Sequence, residues 1–263
     1  MRRAPEAGRR CAFITGAATG IGRAAARLFV KRGWMVGISD VDAPALARLA
    51  AELGPDNAFA CRLDVADAQE WDAALASFFG KTGRLDVLVN NAGILISGPF
   101  ESSPLSGHHA LLDVNIKGML NGCYVAQPYL AGTPGSRIIN LSSASAIYGQ
   151  ASLATYSATK FAVRGLTEAL NVEWQKHGIR VMDVMPLFVR TDMVRDMNAK
   201  SIKRLGVRLT AEDVAATIWK AAIHEGGFGK VHWPVGLRSK LLHGLSGLGP
   251  DRLSRYIAWR IAS

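Results

Sequence analysis

The stretch Cys11-Ala-Phe-Ile-Thr15 is apolar and runs straight into Gly16-Ala-Ala-Thr-Gly20-Ile-Gly22, after which residues 23–32 read as a helix closed by Gly33. Strand, glycine turn and helix in that order constrain the chain more than any other feature. Glycine lets the backbone turn tightly and come close to a bound anion. The free N–H groups and the positive end of the helix then face a phosphate. A lone glycine cluster is weak evidence, because any tight strand-to-helix turn favours glycine. Here residues 35–38 read as a second strand, which ends at Asp40, twenty residues beyond Gly20. An acid in that place accepts hydrogen bonds from a ribose 2′-OH and repels a 2′-phosphate. No Arg or Lys follows Asp40 closely, so NAD is expected as cofactor in preference to NADP.

The pattern recurs. A helix is expected over 43–53, a strand over 58–63 ending at Asp64-Val65, and a helix from a capping box at Asp67-Ala-Gln-Glu70 to Phe79. A buried strand over 85–89 then ends at Asn90-Asn-Ala-Gly93. Near-continuous apolar strands alternating with helices predict a doubly wound α/β fold, its parallel sheet covered on both faces and binding ligands at the strands' C-terminal ends. With 263 residues, 49% of them hydrophobic, one domain has ample core, and no linker or repeat divides residues 1–263.

The formal charge is +10, but the excess sits at the ends: four Arg against one Glu in residues 1–10, and five Lys or Arg against one Asp in 236–263. The body has no basic stripe for nucleic acid, and none is expected as a partner. Cys11, Cys61 and Cys123 have no metal or redox spacing and read as thiols in a reducing, cytoplasmic setting. The six His lack ligand spacing; His108 and His109 read as solvated, and no metal is expected. The apolar run after the N-terminal arginines breaks at Gly16, too early for a signal sequence, and the uncharged stretch 138–159 is too polar to span a membrane.

That uncharged stretch contains Tyr156-Ser-Ala-Thr-Lys160. Four residues apart on a helix, a Tyr and a Lys project from one face, and an adjacent ammonium favours the phenolate, bringing the phenol towards a working acid/base range. Ser143 ends the apolar run from Ile138 and brings a hydroxyl to a strand's C-terminal edge. Taken alone, a surface Tyr and Lys would explain the pattern as well.

Together, Thr15-Gly16-x-x-x-Gly20-x-Gly22, Asp64, Asn90-Asn-Ala-Gly93, Asn115, Ser143 and Tyr156-x-x-x-Lys160 resemble, in order and spacing, the NAD(P)-dependent short-chain dehydrogenase/reductase family over residues 11 to about 235. The resemblance implies a sheet of about seven strands. It implies Tyr156 as proton donor or acceptor, Lys160 as the group lowering its pKa and holding the nicotinamide ribose, Ser143 on the substrate oxygen, and Asn115, within a helix expected over 110–125, as anchor of a relay water. The cofactor would meet Thr15, Gly16, Thr19, Gly20, Ile21, Gly22, Val65, Ala92 and Gly93, with Asp64 at the adenine amino group and Asn91 beside the adenosine ribose. Val189 and Thr191 would meet the carboxamide. The implied reaction is hydride transfer between NAD(H) and an alcohol or carbonyl. Two rivals stay open: an NADP-linked carbonyl reductase, and a sensor or scaffold that binds a dinucleotide without chemistry.

Where the family has Pro-Gly, this chain has Pro186-Leu187, so a reshaped pocket is expected. Tyr148, Leu187, Phe188, Met193 and Met197, with Ile94, Leu95, Ile96 and Ala144, form the expected substrate wall. It holds no Arg or Lys placed to grip a carboxylate or phosphate, which favours a lipophilic alcohol or ketone. Residues 191–204 read as a lid. A helix over 154–177 carries Ala158, Ala162, Gly165 and Ala169 on one narrow face. The family uses this helix in dimers or tetramers, and packing within one subunit is the alternative. Thr210-Ala-Glu-Asp213 caps a helix to Ala222, and 229–233 reads as a last strand. In the extension 234–263, Leu253, Ile257 and Ile261 repeat every four residues, which suits a pocket cover, a subunit contact or peripheral contact with a membrane.

Overall fold

A computed structural model describes residues 8–191, 206–227 and 229–245. Its strands are β1 Cys11–Thr15, β2 Met35–Asp40, β3 Ala58–Arg62, β4 Val87–Asn90, β5 Arg137–Leu141, β6 Arg180–Met185 and β7 His232–Pro234. They pair in parallel in the order β3-β2-β1-β4-β5-β6-β7. The expected seven-stranded, doubly wound sheet is the observed fold. Strand order reverses between β1 and β4, so the loops that follow these strands part and leave a crevice at their C-terminal ends.

Helices α1 Gly20–Lys31, α2 Ala43–Leu53 and α7 Ala211–Ala222 cover one face. Helices α3 Ala68–Thr82, α5 Gly118–Ala131 and α6 Ala154–Glu173 cover the other. Alternation along β1 feeds both layers. Ala12 and Ile14 pack on the side where Phe29 meets Trp34 and Trp219 at centroid distances of 5.3 and 5.1 Å, while Phe13 meets Phe78 at 5.4 Å and Trp71 at 6.1 Å. A Cβ at Gly37 would come within 3.0 Å of both the Phe13 and Phe78 rings, so this β2 position must stay bare for the aromatic group to close.

Some expected boundaries move, each for a physical reason. The helix expected over 110–125 is longer: α4 spans Leu105–Leu112 and continues through a π-turn, Asp113–Lys117, into α5. A π-turn holds one extra residue at a functional bend and has no apolar signature of its own. The box at Asp67 is half-formed. Asp67 accepts from Gln69 and Glu70 N–H, but the Glu70 carboxylate turns away to Asp64 N–H at 2.7 Å and Arg62 at 2.6 Å, gaining a backbone amide and a guanidinium together, while Asp67 N–H donates to Asp64 O. The box at Thr210 and Asp213 is complete. Helix α6 ends at Glu173, with a 3₁₀ turn Trp174–His177 leading to Gly178 at φ 69°. The last strand begins at His232, and α8, Gly236–Leu245, follows it. The expected lid with Met193 and Met197, and the helical pattern at Leu253, Ile257 and Ile261, lie outside the described residues. Among the described residues no helix is long and apolar enough to cross a membrane, and no cluster of three or more His, Cys, Asp or Glu suits a metal.

Candidate active site

A cavity of about 370 Å³ opens at the C-terminal ends of the strands, extending from Asp40 past the glycine turn to Ser143, Tyr156 and Lys160. Its first half is backbone. Gly16 sits at φ 60° and Gly20 at φ 51°, conformations that side chains resist; a Cβ on Gly16 would lie 2.8 Å from Ala92 Cα. Thr19 caps α1 without using its side chain, which leaves the first turn's N–H groups facing the cavity. This bare cradle fits a pyrophosphate.

Thr15 lies behind the wall. Its Oγ1 accepts from Asn91 N–H at 3.1 Å and Ala92 N–H at 3.0 Å, and Asn91 Nδ2 donates to Thr15 and Gly16 carbonyls at 2.8 and 3.0 Å. Thr15 thus ties the glycine turn to the loop after β4 rather than lining the cavity. Gly22 also stands behind the wall, where a Cβ would press within 2.6 Å of Asn91 Nδ2. Asp40 lines the cavity and spends Oδ2 on Ala18 N–H at 3.0 Å and Oδ1 on Asp42 N–H at 3.1 Å; remaining lone pairs on both oxygens can meet a diol. Asp64 and Val65 line the wall between the sheet and α5.

In the second half, Ser143 caps a 3₁₀ turn, Ala144–Ala146, and lies beside Tyr156 on the cavity wall. Lys160 lies one turn along α6 from Tyr156, its Nζ 5.4 Å from the ring centroid and donating to Leu141 O at 2.8 Å. Burial rules here. It pushes the Tyr156 phenol up to about 12, against a smaller lowering by Ser143, and brings the Lys160 ammonium down to about 8. The phenol-lowering effect expected of Lys160 is therefore outweighed by desolvation of both groups.

Asn115 is brought to the site's flank. From the π-turn, its Oδ1 accepts from Ile94 N–H at 2.8 Å, and its Nδ2 donates to Ile94 O at 2.9 Å and Thr159 Oγ1 at 3.2 Å. Both amide hydrogens are taken, so the side chain clasps the cavity-lining Ile94 to α6.

Ala92, Gly93, Ile21, Leu187, Phe188, Val189 and Thr191 all line the cavity, as do Ile94 and Leu95. Tyr148 does not; it is half-buried, and its shielded hydroxyl has no partner among the described residues. Ile96 lines a small separate depression. His108 is bonded rather than solvated, to Thr155 Oγ1 at 2.8 Å and Phe100 O at 3.0 Å, because α4 packs against α6. Sequence reasoning missed Ser142 and Ser145 on the wall and Gln150 behind it. Their one signal was polarity in a stretch without charge.

Residues 10–202 match the family model described as short chain dehydrogenase. A sorbitol dehydrogenase of Cereibacter sphaeroides is 38% identical over 176 residues, covering 66% of this chain and 68% of that protein. A 3-beta-hydroxysteroid dehydrogenase of Comamonas testosteroni is 36% identical over 195 residues, covering 73% and 76%. Among solved structures, a 3-ketoacyl-(acyl-carrier-protein) reductase from Brucella melitensis complexed with NADH is similar at TM-score 0.80 and 29% identity, over 88% of this chain and 98% of that one. This chain belongs to the short-chain dehydrogenase/reductase family, oxidoreductases that act on CH–OH groups.

Proposed function

We propose that the protein oxidises a lipophilic alcohol with NAD, reversibly to the carbonyl, using Tyr156 as acid/base. The observation that carries this reading is that Ser143, Tyr156 and buried Lys160 line one end of a cavity whose other end is a bare glycine cradle. A protein that only senses a dinucleotide has no use for that trio. When bound, the nicotinamide supplies the hydride acceptor. Ser143 Oγ holds the substrate oxygen, and the alcohol proton passes to the Tyr156 phenolate; in reduction the phenol returns it. Lys160, anchored on Leu141 O, keeps a positive charge against the ring. Asn115 holds the loop at Ile94.

The choice of NAD rests on Asp40, whose free lone pairs suit a 2′-OH and whose charge opposes a 2′-phosphate. The lipophilic substrate rests on Ile94, Leu95, Leu153, Leu187 and Phe188 around the catalytic end, where Lys160 is the one cationic side chain on the described wall. We also assign a homo-oligomer contact to α5 and α6, which leave Tyr124 79%, Val172 67% and Phe161 43% exposed around exposed Ala158, Gly165 and Ala169. The free thiols of Cys11, Cys61 and Cys123 suit a cytoplasmic setting.

Alcohols of rising chain length, a steroid alcohol and a polyol, assayed with saturating NAD by NADH absorbance, test the reading. kcat/KM should climb with each buried methylene, worth up to about 0.8 kcal/mol, until the cavity is full. A preference for the polyol would overturn the substrate class. Binding of NAD without turnover of any alcohol would overturn the enzyme.

A further inference from the structure

The cluster around Ser143 reaches further than the catalytic trio. Ser143 Oγ donates to Ser145 Oγ at 3.3 Å, and Ser145 Oγ donates to Gln150 Oε1 at 3.1 Å. Ser145 is 5% and Gln150 4% exposed, so both are largely shielded from bulk water. Gln150 N–H in turn donates to Ser157 Oγ at 3.1 Å, and Ser157 is buried on α6 beside Tyr156. The arrangement is a row, Ser143, Ser145, Gln150, whose first member lies beside Tyr156 on the cavity wall and lowers the pKa of its phenol.

The row has a direction. An amide carbonyl oxygen only accepts, so Gln150 Oε1 fixes the Ser145 hydrogen, and the Ser145 oxygen is left presenting lone pairs to Ser143. Ser143 has one hydrogen of its own, and its oxygen already accepts from Ser145 N–H at 3.1 Å. While that hydrogen points to Ser145, Ser143 can only accept from Tyr156, which suits the neutral phenol. To stabilise the phenolate, Ser143 must withdraw its hydrogen from Ser145 and donate it to Tyr156. Ser145 therefore competes with the phenolate for a single proton donor.

We propose that Ser145 and Gln150 are positioning residues that set the working range of Tyr156 by holding the Ser143 hydrogen away from it. This rests on the reading of Tyr156 as acid/base. Other titratable groups near Tyr156 are already engaged or remote: Lys160 donates to Leu141 O, His108 of α4 bonds Thr155, Asp183 of β6 pairs with His232, and Asp113 and Lys117 of the π-turn are exposed.

The test is the pH profile of kcat/KM for alcohol oxidation in wild type, Ser145→Ala, Gln150→Met and Gln150→Glu. Removing the competing acceptor should move the acid limb of Ser145→Ala to lower pH by about one unit, the scale of one hydrogen bond to a charged group. Gln150→Met, of similar shape and without the acceptor, should move it the same way. Gln150→Glu keeps the acceptor and adds negative charge, so its limb should stay or move up. Rates that fall equally at every pH, with the limb unmoved in Ser145→Ala and Gln150→Met, would show a merely structural role and overturn the proposal. The ultraviolet titration of tyrosinate, taken as the difference from Tyr156→Phe, reads the same shift without turnover. It therefore separates failure of the positioning role from failure of the enzymatic reading.

Discussion

Replacing Asn115 by Ala should cost both stability and ligand binding, because one largely buried side chain closes three hydrogen bonds. Asn115 is 2% exposed and joins both polar groups of the Ile94 backbone to α6 through Thr159. At about 1 kcal/mol net for each bond, the loss is about 3 kcal/mol, with unsatisfied groups at Ile94 adding to it. For a chain of this size, each kcal/mol shifts Tm by about 2–4 °C, so a fall of about 6–12 °C is expected. Differential scanning fluorimetry, with and without NAD, reads it. The increment that NAD adds to Tm should also shrink, since the Ile94 loop is part of the cavity wall. A Tm within about 2 °C of wild type, the size of about 0.5–1 kcal/mol, would refute the clasp.

Three further outcomes follow from the geometry. Because burial holds the Tyr156 phenol high and oxidation needs the phenolate, kcat/KM for oxidation should rise across the alkaline range while carbonyl reduction holds at neutral pH; an oxidation rate already level at pH 7 would contradict this. His232 lies between Asp183 Oδ1 and Glu168 Oε1, each 3.0 Å from a ring nitrogen, a placement in which the protonated ring donates to both. Its pKa is raised, chiefly by Asp183, so its stabilisation is complete below the unfolded value and is lost as pH rises through the folded one. His232→Ala strands a fully buried carboxylate at Asp183 and should cost about 3–5 kcal/mol in chemical denaturation near neutral pH, less at acid pH where Asp183 is neutral. Asp40→Ala should lower the kcat/KM ratio of NAD to NADP about tenfold or more, and an unchanged ratio would remove Asp40 from cofactor choice.

The fold was legible because its signals are local and repeated: apolar strands, glycine after β1, and caps at Asp67 and Thr210 that the structure keeps in whole or part. The site was legible where spacing alone fixes proximity, as for Tyr156 and Lys160 on one helical face. What escaped depends on contacts distant in sequence or on competition between partners. The π-turn at Asn115 has no periodicity distinct from the helices around it. The Thr15 role behind the wall appears only when β1 and β4 lie side by side. The Glu70 turn towards Arg62 and Asp64 shows a capping pattern losing to a backbone amide and a guanidinium that only the fold brings near. The sign at Tyr156 needed burial, which residue spacing does not report. Ser145 and Gln150 looked like ordinary polar residues until the 3₁₀ turn folded them onto Ser143.

The central claim is that one phenolic proton at Tyr156 makes the chemistry possible while the rest of the cavity holds the ligands. The direct measurement is Tyr156→Phe, with single-turnover NADH formation followed beside NAD affinity by calorimetry. The ring and its packing on Lys160 stay, and only the hydroxyl goes. Turnover should fall by at least about 10²-fold, the lower end for general acid/base catalysis, with the NAD dissociation constant changed less than about threefold. Turnover within tenfold of wild type would mean another group moves the proton and would contradict the account.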